Sequence, residues 1–144
     1  MRQFVVCGHD APTTSDISLA DLPGHGRLDL LARSVTSALL LSHGIRDDTQ
    51  VHLVLDDAYT VSIDGGAVRN LNPDERSTAA RIRSALAERE EAIGHVPVET
   101  SPGVELTRMG TEATLERVAE AGTVVQLHED GDPAAAVEPP TDPV

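Results

Sequence analysis

The chain has no lysine and no tryptophan, and Phe4 and Tyr59 are its only aromatic residues. Cys7 is its one cysteine. Each shortage excludes something. Without lysine there is no phosphate loop of the glycine-rich, lysine-ending kind, and no glycine-rich dinucleotide fingerprint occurs either. A lone cysteine in an apolar run reads as a buried reduced thiol. The six histidines are scattered, and Cys7-Gly8-His9 is too close and too isolated for zinc, so no metal site is expected. No apolar run is long enough to span a membrane and the N-terminus has no signal-peptide pattern, which points to a cytoplasmic protein.

The charged residues that are present lean one way. Eleven arginines face 24 Asp and Glu, a formal net charge of −13. Such a composition is compatible with a disordered acidic chain, but 40% of the residues are apolar and they recur periodically, which favours a folded domain. At 144 residues the chain suits one domain with a real core. Dense carboxylates keep a protein soluble in concentrated salt, which screens their repulsion, so the composition fits a halophile. The imbalance is uneven: residues 1–83 carry −3 and residues 84–144 carry −10. A polyanion should therefore meet the first half.

Periodicity gives the order of elements. Residues 3–7 read as a buried first strand. Residues 8–26 are polar and rich in turn formers, a long loop of the kind that is usually functional or flexible. Leu28, Leu31, Val35, Ala38 and Leu39 recur at helical spacing, which predicts a helix over 27–43 stopped by Gly44. Residues 50–55 read as a strand and residues 56–58 as a turn. Residues 59–63 and 67–71 flank Asp64-Gly65-Gly66 as a hairpin. A second helix is expected over 73–93, a short strand over 104–106, a helix capped by Thr111 over 111–121, and a last buried strand over 123–128. Residues 1–128 form the expected domain, and the acidic, Pro/Ala-rich residues 129–144 read as a linker or tail. Alternating strands and helices argue for α/β with a largely parallel sheet.

The stretch 64–80 is the most informative. Asn72 suits an N-cap, Pro73 the first helical position, and Asp74 and Glu75 the positive end of a helix dipole. Arg69, Asn70 and Arg76 crowd round that helix start, and a helix N-terminus flanked by arginines suits an anion such as RNA phosphate. From spacing alone, ordinary loop and capping residues with a surface salt bridge account for the same pattern. Gly26-Arg27-Leu28-Asp29 likewise reads as a helix opening.

Asn72-Pro73-Asp74-Glu75-Arg76-Ser77 resembles the signature of the archaeal tRNA pseudouridine-54 N1-methyltransferases, members of the knotted SPOUT superfamily. Other stretches match that family in the same order: Met1-Arg2-Gln3-Phe4, Gly8-His9-Asp10-Ala11-Pro12-Thr13, Asp21-Leu22-Pro23-Gly24, Gly26-Arg27-Leu28-Asp29 and Leu41-Ser42-His43-Gly44-Ile45-Arg46. Leu127-His128 looks like a later family position. No single stretch is decisive, and their collinearity makes the resemblance specific.

The resemblance implies S-adenosylmethionine as methyl donor, tRNA as substrate and a homodimer. It assigns RNA contact to Arg69, Asn70, Asn72 and Arg76, a place near the target base to Arg27 and Asp29, and a place in the cofactor pocket to Leu127. Asp29 would accept or relay the proton leaving N1, and Arg27 would stabilise negative charge developing on the uracil ring. Family members continue past the position where this chain stops, through the glycine-containing loops of the trefoil knot. The expected fold is therefore the N-terminal and central part of a SPOUT-like α/β domain with the knot missing or incomplete. A non-catalytic RNA-binding or dimerisation module is the alternative.

Overall fold

Residues that alternate between the two faces of one sheet organise the chain. A computed structural model describes residues 1–127. The strands of the main sheet are β1 (Arg2–Gly8), β4 (Thr49–Leu55), β5 (Tyr59–Asp64), β6 (Val98–Ser101) and β7 (Val104–Thr107), in the spatial order β1-β4-β5-β7-β6. On β4, β5 and β7 the residues Val51, Leu53, Leu55, Val61, Ile63, Val104 and Leu106 are completely or almost completely buried. Two helices, α1 (Leu28–Leu39) and α2 (Glu75–Ala87), cover that face with Leu28, Val35, Leu39, Ala79, Ile82 and Leu86. A third helix, α3 (Thr111–Ala119), lies on the opposite face, where the Thr114 hydroxyl meets the Thr60 hydroxyl at 2.7 Å.

The architecture is mixed α/β, and the expectation of a largely parallel sheet is corrected. Only β1 and β4 pair in parallel; β4–β5, β5–β7 and β7–β6 are antiparallel. The cause is local. Asp56 and Asp57 both have positive φ, 48° and 54°, and join β4 directly to β5. Aspartate tolerates this left-handed region, and two such residues match a tight hairpin to strand twist. A connection of three residues, 56–58, leaves no room for the crossover a parallel pair requires. The expected hairpin around Asp64-Gly65-Gly66 is absent: residues 67–71 form a loop, and β5 pairs with β7 instead. That loop packs on the β6–β7 turn, where Gly103 has φ 76° and an added Cβ would fall 2.2 Å from the Val68 nitrogen.

Other boundaries shift for identifiable reasons. The helix expected over 27–43 ends at Leu39, because Leu40 turns extended and Leu40–Leu41 pairs with Gly44–Ile45 as the small ribbon β2–β3. Arg46 satisfies the carbonyls left at that end, its backbone N–H bonding Leu39 O at 2.7 Å and its guanidinium Ala38 O at 3.0 Å. The second helix begins at Glu75 and its cap is Asp74, not Asn72: the Asp74 carboxylate accepts from the Ser77 N–H at 2.8 Å and the Ser77 hydroxyl at 2.9 Å. A short 3₁₀ turn, Arg89–Glu91, follows it.

Strand β1 lies at the sheet edge, so Phe4 and Cys7 are exposed and not buried as their apolar run implies. The loop 8–26 has no regular element but is packed, with Ala11, Ile17 and Leu22 in the core. Of the expected last strand, Thr123 makes a single β-bridge and residues 124–127 are irregular, with Val124, Val125 and Leu127 exposed. His128 and the expected tail 129–144 lie outside the described residues.

Helix α3 is capped from a distance. Its N-cap is Gly110, and the Thr111 N–H donates to the Asp57 carboxylate at 2.6 Å, so the β4–β5 turn anchors the helix and the Thr111 side chain does not cap it. Nearby in the sheet, His52 is 9% exposed and bridges three strands. Its Nδ1 lies 2.7 Å from Ser62 Oγ and its Nε2 lies 2.7 Å from Gln3 Oε1. An amide oxygen only accepts, so Nε2 carries the proton and Nδ1 accepts from Ser62. Burial, and secondarily the positive charge of Arg117, lowers the His52 pKa from 6.5 to about 4.

Two outcomes follow for stability. Asp57→Ala loses an N-terminal cap and places alanine at positive φ, and should cost about 1–2 kcal/mol in denaturant unfolding, with Asp57→Asn close to neutral. Neutral His52 stabilises the fold fully above pH 6.5, where neither state binds its proton. As the pH falls from 6.5 toward 4, the unfolded chain takes up a proton that the folded chain refuses, removing about 3 kcal/mol in all. Unfolding curves of His52→Gln against the parent chain should diverge over that window and run parallel above it.

Candidate nucleic-acid interface

The N-terminal end of α2 packs against α1 at one end of the helix layer, and the residues singled out in the sequence divide between that end and other places. Arg27 occupies the N-cap of α1 with φ 57° and ψ 45°. A non-glycine residue in this left-handed region needs outside support. Asp29, two residues on and 6% exposed, supplies it. Arg27 Nε donates to Asp29 Oδ1 at 3.0 Å and Nη2 to Oδ2 at 2.9 Å. This two-pronged bond holds the Asp29 carboxyl below its ordinary pKa and raises that of Arg27. The Arg27 side chain is 59% exposed, and its Nη1 has no partner among the described residues. Before it, Gly26 has φ 61° and its backbone crosses the loop so closely that a Cβ would sit 1.9 Å from Asp10 O.

Arg33, one turn and a half further along α1, reaches across to α2. Its Nε and Nη2 both donate to Glu75 Oε1, at 2.9 and 2.8 Å. Glu75 thus ties the start of α2 to the middle of α1 and also adds to the raised pKa of Arg27. Arg76 follows it in the first turn of α2 and has no hydrogen bond or ion pair among the described residues. Two open grooves run along this end. One, about 500 Å³, is lined by Leu22, Pro23, Asp74, Glu75 and Arg76 among others. The other, about 420 Å³, is lined by Gly8, His9, Asp10, Pro23, Arg27 and Leu30 among others. Pro23 borders both.

Arg69 and Asn70 lie on the loop leading into α2. Asn70 has φ 57°, and Arg81 donates through Nη2 to the carbonyls of Arg69 and Asn70, the latter at 2.9 Å. Arg81 therefore clamps the loop to the middle of α2 and leaves the Arg69 guanidinium without a partner among the described residues. Asn72 is exposed just before the Asp74 cap. The fold thus brings Arg27, Asp29 and Arg76 to one end and sets Arg69, Asn70 and Asn72 on the adjoining loop. Leu127 joins neither: it is 87% exposed and borders neither groove.

Sequence reasoning missed Arg33 and Arg81. Arg33 sits 42 residues from its partner. The role of Arg81 was hidden because residues 67–71 read as a strand, whose carbonyls would have faced another strand. Among the described residues no group of three or more His, Cys, Asp or Glu side chains is placed to hold a metal ion, and no helix is long and apolar enough to cross a membrane. S-adenosylmethionine needs an enclosing pocket. The residue the resemblance assigns to it, Leu127, projects with 87% exposure.

The profile of the family described as "Putative SAM-dependent RNA methyltransferase" matches residues 1–144. A protein of Haloarcula marismortui named tRNA (pseudouridine(54)-N(1))-methyltransferase is 69% identical over 100% of this chain and 73% of its own length. Proteins of the same name from Haloferax volcanii and Methanopyrus kandleri are 64% and 42% identical, each over 100% of this chain, covering 73% and 70% of their lengths.

Removing the Arg81 clamp should loosen the loop without unfolding the domain. Arg81→Met is expected to speed amide hydrogen exchange across 67–72 while leaving protection in β4 and β5 unchanged.

Proposed function

The chain belongs to this family of S-adenosylmethionine-dependent RNA methyltransferases, and on that premise we propose that it takes part in N1-methylation of pseudouridine-54 in tRNA. The observation that carries the reading is the arrangement of arginines in a strongly acidic chain: Arg27 on α1, Arg76 on α2 and Arg69 on the clamped loop all present guanidinium N–H groups that no described residue occupies. A guanidinium matches phosphate and carbonyl oxygens in pairs, and helix N-termini add backbone N–H groups to the same surface. Arg69, Asn70, Asn72 and Arg76 take the RNA backbone. S-adenosylmethionine supplies the methyl group when bound.

N1 of the uracil ring gives up its proton to solvent water as it gains the methyl group, and negative charge develops on the ring to the extent that proton loss runs ahead of methyl gain. Arg27 is suited to stabilise it, because Asp29 fixes one edge of its guanidinium and leaves the other open. A carboxylate held below its usual pKa is a weak proton acceptor, which supports reading Asp29 as the residue that positions Arg27. The proposal includes a SPOUT-type arrangement of the sheet and a homodimer. Exposed Leu30 and Leu41 on and beside α1 give such a contact apolar surface.

The test has two arms. In tRNA-binding titrations across KCl concentration, Arg69→Ala and Arg76→Ala should each lower the slope of log K against log salt by about 1, with Arg108→Ala, stacked 6.0 Å over Tyr59 elsewhere, leaving it unchanged. In methyl-transfer assays on pseudouridine-54 tRNA with the intact protein, Arg27→Gln and Asp29→Asn should each slow turnover by roughly 10²-fold, and the double variant no further. Unchanged turnover in Asp29→Asn would remove its role. Tight tRNA binding without transfer would leave the RNA-binding module.

A further inference from the structure

The face of the sheet opposite α1 and α2 carries a second cavity, of about 360 Å³, between the strands and α3. None of Arg27, Asp29, Arg69 or Arg76 lines it. We propose that it binds a small aliphatic cation rich in N–H donors, an ammonium or guanidinium compound.

The argument begins with what the cavity leaves unsatisfied. Thr107 lines it at 2% exposure, and its hydroxyl has no hydrogen-bond partner among the described residues. That oxygen keeps some accessible surface, the fully buried orphan hydroxyl among the described residues being that of Thr78, so it can be reached from the cavity. The Gln50 amide, half-buried in the lining, also has no hydrogen-bond partner among the described residues. Glu99 and Glu105 stand directly opposite each other across the β6–β7 ladder, and both line the cavity. Like charges in directly opposed positions destabilise a strand pair, and no described side chain neutralises these two.

The lining also determines the sign and type of ligand. Arg117 is its one cation, and its Nη2 donates to His95 O at 2.7 Å. Asp64, Glu99 and Glu105 give an excess of negative charge, which disfavours a phosphate or carboxylate. His52 uses both ring nitrogens on Gln3 and Ser62, so it offers a ligand no donor. What remains is chiefly the Glu99 and Glu105 carboxylates, with the Thr107 hydroxyl and the Gln50 amide able to accept as well as donate. Such a wall suits a ligand with several N–H donors and positive charge, bridging Glu99 and Glu105 with one end and reaching Thr107 with the other. The volume admits a compound of that kind with several bridging waters.

Agmatine, with an ammonium at one end and a guanidinium at the other, is the probe. Titrated into the ¹⁵N-labelled full chain in molar KCl, it should give saturable shifts confined to the amides of residues 50, 62, 99, 105 and 107 and to α3. Glu105→Gln should weaken binding by about 10-fold, the size of one charge-assisted hydrogen bond, and Thr107→Val by about 3-fold. Glu88→Gln makes the same charge change on the exposed end of α2 and should have no effect. Shifts that stay linear and spread over the acidic surface would overturn the proposal, as would no shifts at all or equal weakening by Glu88→Gln. The amide spectrum reports folding of each variant, and Glu105, being exposed, can be replaced without disturbing the core even if Thr107→Val cannot.

Discussion

Burial of one face of a five-stranded sheet under two helices is the constraint on which the rest depends. Val51, Leu53, Leu55, Val61, Ile63, Val104 and Leu106 form one continuous apolar floor, and α1 and α2 have no other place to put Leu28, Val35, Leu39, Ile82 and Leu86. Truncating a buried leucine in such a floor typically costs about 2–5 kcal/mol, so the helices cannot drift from it. Because both are seated on the same floor, they pack side by side, and the Arg33–Glu75 ion pair fixes the start of α2 against the middle of α1. The candidate interface is a consequence of that seating.

Electrostatics in this chain run against its net charge. Despite 24 acids to 11 arginines, only Arg27 and Arg33 form ion pairs among the described residues, and most other arginines with assigned contacts spend them on backbone carbonyls: Arg46 at the end of α1, Arg81 on the loop and Arg117 beside His95. Of those left open, Arg69 and Arg76 fall on one side of the molecule with the outer edge of Arg27, and Arg2 lies apart on the edge strand β1. The opposite sheet face carries unpaired carboxylates. The two faces of one sheet therefore suit ligands of opposite charge. Concentrated salt screens the exposed charges on both, and screens the buried Asp29 contact with Arg27 least.

Much of the fold was legible in the sequence. Strands 50–55 and 104–106, helix α1 and the helix after Pro73 follow directly from apolar spacing, because period 2 and period 3.6 survive in any packing. What was not legible depended on partners distant in the chain. The cap at Asp74 displaced Asn72 because Ser77 offered it both an N–H and a hydroxyl. The turn at Asp56-Asp57 made β5 antiparallel, and pairing with β7 drew residues 67–71 out of the strand that their composition suggests. Strand β1 reads as buried because its residues are apolar, but its position at the edge was decided by the order of strands.

The same division holds for function. By itself the sequence determined the family, the acidic and lysine-free character, the periodic core and the residue types Arg27, Asp29, Arg69, Asn70, Asn72 and Arg76, since collinear motifs and composition need no coordinates. Only the tertiary structure decided that Asp29 grips Arg27 at buried depth, that Arg81 rather than a strand partner holds the Arg69–Asn70 carbonyls, that Leu127 stands exposed, and that Thr107, Glu99 and Glu105 share a cavity with a neutral His52. The physical reason is that side-chain chemistry is written residue by residue, whereas burial, pKa and unpaired hydrogen-bonding capacity belong to neighbours that the chain brings together from tens of residues away.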